Sequence, residues 1–95
     1  MLPILFDEMY EGKSEELRKM GFHSLSVREL RTMGFHLQHD YSIIKYVEKN
    51  RMILVTRDKE VYDGCMENQI PCVLMDQDPT IGSIIESLQK FENLV

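Results

Sequence analysis

Apolar residues in this chain fall into two alternating patterns, short continuous runs and longer stretches at helical spacing. Ile4-Leu5-Phe6 is the first run and reads as a strand, ended at once by Asp7 and Glu8. Ser14 has the character of a helix N-cap, with Glu15 and Glu16 in the first turn, where the helix dipole favours negative charge. The predicted helix turns Leu17 and Met20 inward and stops at Gly21, a residue suited to closing helices. Leu25-Ser26-Val27 reads as a weaker second strand, and residues 28–39 as irregular around Gly34. Asp40 precedes a predicted helix over 41–50, with Ile43, Ile44 and Val47 on one side. Met52 to Thr56 is the clearest strand, apolar without interruption as a parallel strand covered on both faces should be. A short helix is predicted over 59–68, and Pro71 introduces a buried strand from Cys72 to Met75. Pro79 fits the first turn of a last helix, in which Ile81, Ile84, Ile85, Leu88 and Phe91 recur as a core stripe.

Strands and helices thus alternate from end to end. The pattern predicts one α/β domain over residues 1–95: a four-stranded, mainly parallel sheet of order 2-1-3-4, with helices on both faces. Ligands of such sheets bind beyond the carboxyl ends of the strands, where the strand order switches. The informative residues are therefore those just after each strand.

Length and composition agree with a single ordinary globular domain, 95 residues of which 43% are hydrophobic and 28% charged. The longest uninterrupted apolar run is four residues, as from Met52 to Val55, against about 20 needed to span a bilayer. Met1 to Phe6 lacks the basic start of a secretory leader, so the expected compartment is the cytoplasm. Cys65 and Cys72 match no zinc or redox spacing and read as small hydrophobes. The formal charge of −5 disfavours indiscriminate binding of polyanions, but it is unevenly spread. Residues 28–59 carry seven basic groups against four acidic ones, whereas 1–27 sum to −2 and 60–95 to −6. A basic middle could guide a nucleic acid to one face; the competing reading is a solvated surface of helices and loops.

Acids follow two of the predicted strands. Asp7 and Glu8 come after the first; Thr56, Arg57 and Asp58 follow the third, with Glu60 two residues on, and Asp40 starts the helix that feeds it. With strands one and three as neighbours, Asp7 and Asp58 face one another across the switch. Carboxylates gathered there repel, and a hard divalent cation such as Mg²⁺ or Mn²⁺ relieves that repulsion. Such an ion activates water and offsets charge developing on a phosphodiester. Thr56 could orient a carboxylate, and Arg57 and Lys59 could contact phosphates. Taken singly, the residues have plainer roles: Asp40 and Asp58 as helix caps, Asp7 and Glu8 as solvated acids, Arg57 in a surface ion pair. Asp76 and Asp78, after the fourth strand, could line the rim.

Ile4-Leu5-Phe6-Asp7-Glu8, Val27-Arg28-Glu29-Leu30, Asp40 followed by Ile43 and Ile44, and Ile53-Leu54-Val55-Thr56-Arg57-Asp58-Lys59 together resemble a compact family of the PIN-like superfamily. The match in order and spacing runs over nearly the whole chain, and Leu54 to Lys59 is its most specific part. The resemblance implies a three-layer Rossmann-like sandwich and an acidic, Mg²⁺- or Mn²⁺-dependent ribonuclease centre. It also implies kinship with the toxins of toxin–antitoxin pairs. By position, Asp7, Asp40 and Asp58 would be metal ligands, with Glu60 as the second acid after Thr56. The implied partners are RNA, an antitoxin-like protein or a second copy of the chain. Two departures stand out: Met9 where the family usually has Asn, and Glu60-Val61 where it usually has Asp-Phe.

Other chemistries fit less well. His36 and His39 fall short of the three or four ligands zinc needs, and no Gly-rich phosphate loop follows the first strand. A phosphoacceptor receiver domain would need a hydroxyl after the fourth strand, where Asp76 stands, and a fifth strand. The main competitor is a catalytically degenerate PIN-like module that binds a protein partner, which the low basicity and Met9 favour.

Overall fold

Strands that are apolar on both faces need cover on both sides. The computed structural model, which describes residues 1–7, 10 and 12–94, provides it. Strands β1 (Ile4–Phe6), β2 (Ser24–Ser26), β3 (Ile53–Thr56) and β4 (Cys72–Leu74) form one all-parallel sheet of order β2-β1-β3-β4. The helices among the described residues are α1 (Lys13–Lys19), α2 (Val27–Thr32), α3 (Asp40–Asn50), α4 (Lys59–Glu67) and α5 (Ile81–Leu88), with a 3₁₀ turn at Gln89–Phe91. None is long and apolar enough to cross a membrane.

Side chains alternate across the sheet, and so do the two cores they build. Ile4, Phe6, Ile53, Val55 and Val73 face Leu17 of α1 and Ile84 and Leu88 of α5. Leu5, Leu54 and Cys72 face the opposite way, against α2, α3 and α4 through Leu30, Ile43, Val47, Val61 and Cys65. The division follows from handedness. The chain moves outward from β1 to β2, then reverses through β3 to β4, and right-handed crossovers in opposite directions leave their helices on opposite faces.

Local details differ from the expectations in instructive ways. The stretch expected to be irregular opens with a helix, α2, because Ser26 and Glu29 form a capping box: the Glu29 N–H donates to Ser26 Oγ at 3.0 Å and the Ser26 N–H to Glu29 Oε1 at 2.9 Å. Val27 belongs to this helix, so β2 ends at Ser26. Gly12, at φ 81°, takes the N-cap position of α1, and Ser14 is buried inside the first turn. Met20 is exposed, since the helix ends before its side chain can reach the core, and Gly21 at φ 95° turns the chain away. His39 rather than Asp40 stands at the N-cap of α3. Thr80 caps α5, its Oγ1 accepting from the Ser83 N–H at 3.0 Å, and Pro79 lies just before it. The stripe of α5 is core as expected, with Ile84 and Leu88 fully buried and Ile81, Ile85 and Phe91 packed partly against them. Both cysteines are free and buried.

Glu29 ties three elements together. Its carboxylate accepts from Ser14 Oγ at 2.7 Å, from the Ser26 N–H, and from Arg18, whose Nη2 lies 2.8 Å from Oε2. Burial pushes its carboxyl up, but the hydrogen bonds from Arg18, Ser14 and Ser26 override this and bring the pKa down from 4.5 to about 2. A carboxyl depressed in the fold contributes stability above its unfolded pKa and loses it as pH falls through the folded one. The wild type should therefore exceed Glu29→Gln in urea stability at neutral pH, with the gap closing between pH 4.5 and about 2. A gap that stays constant through that range would remove the ionised Glu29 from this role.

Candidate functional site

The register of the central strands decides which residues meet at the carboxyl end of the sheet. Ile4 pairs with Ile53 and Phe6 with Val55, so the next residues, Asp7 and Thr56, emerge side by side. This is the switch point, because β1 sends the chain to β2 on one side and neighbours β3 on the other. Both residues are buried, Asp7 at 4% exposure and Thr56 at 0%. Thr56 Oγ1 donates to Asp7 Oδ2 at 2.9 Å and accepts from the Asp58 N–H at 3.1 Å. One threonine thereby joins the first-strand acid to the third-strand turn.

The neighbouring acids are held differently. Asp58 caps α4, its Oδ1 accepting from the N–H groups of Glu60 at 2.9 Å and Val61 at 3.4 Å. Glu60 occupies the first turn of that helix and is exposed. Asp40 is the first residue of α3; this helix ends two residues short of β3, so its N-terminus lies toward the same end of the sheet as Asp7. Asp40 is exposed there, whereas Asp7 is enclosed. Arg57 is exposed beside the site, and Lys59 forms an i,i+4 ion pair with Asp63 at 3.1 Å. Asp76 and Asp78 follow β4 and are exposed. Glu8 and Met9, the second opening acid and the departure from the PIN-like pattern, lie outside the described residues.

Tyr10 completes the site and carried no signal in the sequence. It is buried, edge-on to Phe6 with ring centroids 6.3 Å apart, and its hydroxyl donates to the Asp76 carbonyl at 2.9 Å. Burial pushes the phenol up to about 12; Arg57 opposes the shift, and Asp7 and Asp76 add to it. The proton therefore stays on the hydroxyl at neutral pH. An aromatic four residues past the end of a strand, with a hydroxyl that must find a partner if buried, has no pattern to single it out.

Compared with protein-family models, with curated proteins and with solved structures, the chain matches none. Its chemistry must be read from the site itself.

Among the described residues no three His, Cys, Asp or Glu side chains are grouped so as to hold a metal ion. Mg²⁺ asks for less, since one or two carboxylates suffice when water and substrate phosphate complete the coordination. The Asp7 carboxylate, and the Asp58 carboxylate that follows the same Thr56 turn, are oxygen donors of the kind that suit such an ion and not a thiolate- or imidazole-seeking one. A recess of about 520 Å³ opens at the other end of the sheet, lined by Pro3, Ile4, Phe22, His23 and Met52. It is mainly apolar and lies at the amino ends of the strands, away from these acids.

Proposed function

We propose that this protein is a metal-dependent phosphodiesterase acting on RNA, a PIN-like ribonuclease. The observation that carries the reading is the Asp7 carboxylate, buried at the β1/β3 switch and oriented by the Thr56 hydroxyl. A solvated strand-ending acid would need neither the burial nor the partner. Asp7 and Asp58 would hold Mg²⁺ or Mn²⁺, with Asp40 and Glu60 approaching from the helix starts at the same end. When bound, such an ion would supply an activated water and would neutralise charge developing on the phosphate. Thr56 fixes the direction of the Asp7 carboxylate, and Arg57 offers a phosphate a cation beside it. RNA as substrate draws on the PIN-like resemblance and on the basic balance of residues 28–59. Kinship with toxin ribonucleases, and an antitoxin-like partner, belong to the same reading.

The competing reading is a degenerate module that binds a protein and no metal. It is favoured by Asp58 and Lys59, whose side chains already serve α4 as a cap and an ion pair. Calorimetric titration of Mn²⁺ into wild type and Asp58→Asn separates the two. Asparagine caps helices as well as aspartate does, so the variant removes charge while keeping the turn. Binding to the wild type, weakened at least about 100-fold in Asp58→Asn, is expected for an acid that itself holds the ion. No heat at millimolar Mn²⁺, with no metal-dependent cleavage of RNA, would overturn the nuclease in favour of the binding module.

A further inference from the structure

We propose that Tyr10 is the positioning residue of the Asp7 centre, a role that rests on the metal-dependent reading above. Its hydrogen bonds close a circuit around the mouth. The Tyr10 N–H donates to the Asp7 carbonyl at 3.1 Å, and its hydroxyl reaches over β3 to the Asp76 carbonyl at 2.9 Å. The adjoining Met75 N–H donates to the Thr56 carbonyl at 2.9 Å, and the Thr56 hydroxyl returns to Asp7 Oδ2 at 2.9 Å. The phenol thus joins the chain after β1 to the chain after β4, while Thr56 joins the exit of β3 to both. Without the phenol the circuit opens between Tyr10 and Asp76, and the backbone just after Asp7 loses a direct tie to the exit of β4. Preorganisation of this kind is what a binding centre gains from the residues behind its ligands.

Tyr10→Phe keeps the ring and its edge contact with Phe6 and removes only the hydroxyl. Mn²⁺ titration of the wild type, Tyr10→Phe and Val47→Ala tests the role. Val47 is fully buried between α3 and the sheet, so its variant lowers stability without touching the circuit. Tyr10→Phe should bind Mn²⁺ about fivefold more weakly, the ordinary net effect of one hydrogen bond. Val47→Ala should bind as the wild type does, although it melts earlier. Equal affinity in wild type and Tyr10→Phe overturns the role of Tyr10 and leaves the metal centre standing. An equal loss in Val47→Ala assigns the effect to global stability and overturns it as well. A wild type that binds no Mn²⁺ removes the metal centre, and the positioning role goes with it.

Discussion

Asp7→Asn should lose Mn²⁺ binding by at least about 100-fold, because partners behind a ligand already cost 10- to 100-fold and Asp7 is the proposed ligand itself. Metal-dependent cleavage of RNA should fall with it. The fold should not suffer. An asparagine amide has nearly the same shape, and its Oδ1 still accepts the Thr56 hydroxyl that reaches Asp7 at 2.9 Å. It also removes a negative charge from a position that is 4% exposed, and burying charge is expensive. The melting temperature should therefore hold or rise while function disappears. Opposite movement of stability and activity is the mark of a residue kept for chemistry at the expense of the fold. Calorimetry for the metal and differential scanning for the melt would be run on the same preparations. Wild-type Mn²⁺ affinity in this variant would sink the site, and a collapsed melt would recast Asp7 as a structural acid.

The sheet was legible in the sequence because its requirement is local. Ile53, Leu54 and Val55 admit no solvated face, so the chain must cover both sides, and the alternation of elements leaves few ways to do so. Order 2-1-3-4 is one of the few arrangements that meet that constraint with right-handed crossovers, and it is the order observed. What escaped depends on contacts distant in the chain. Ser14 has the look of a cap, yet its hydroxyl is drawn to Glu29, 15 residues away, while Gly12 starts the helix. Helix α2 is six residues long, too short to display a period, and Val27 extended the apolar run of β2 into it; only the Ser26–Glu29 spacing marked the boundary. The site divides in the same way. Asp7 and Thr56 were readable because each ends an apolar strand, and register makes neighbours of strand ends. Tyr10 was not, since its partner is 66 residues away and sequence spacing carries no trace of that hydrogen bond.

Thr56→Val should cost about 3 kcal/mol, the upper part of the range for leaving buried polar groups without a partner. Valine matches threonine in shape and suits a strand at least as well, so the loss would come from the hydroxyl alone. That hydroxyl gives Asp7 Oδ2 a donor and the Asp58 N–H an acceptor, and no water can replace it at a residue with 0% exposure. For a domain of this size such a loss lowers the melting temperature by roughly 12–24 °C, at about 4–8 °C per kcal/mol. Thr56→Ser isolates the cause. It keeps both hydrogen bonds and deletes one methyl group, at about 1 kcal/mol, and its Mn²⁺ affinity should remain near that of the wild type. If valine and serine behave alike, the methyl group and not the hydroxyl holds the switch point together. If valine alone loses both the melt and the metal, the Thr56 hydroxyl serves the fold and the centre at once, holding the acid of β1 and the turn after β3 with its two hydrogen bonds.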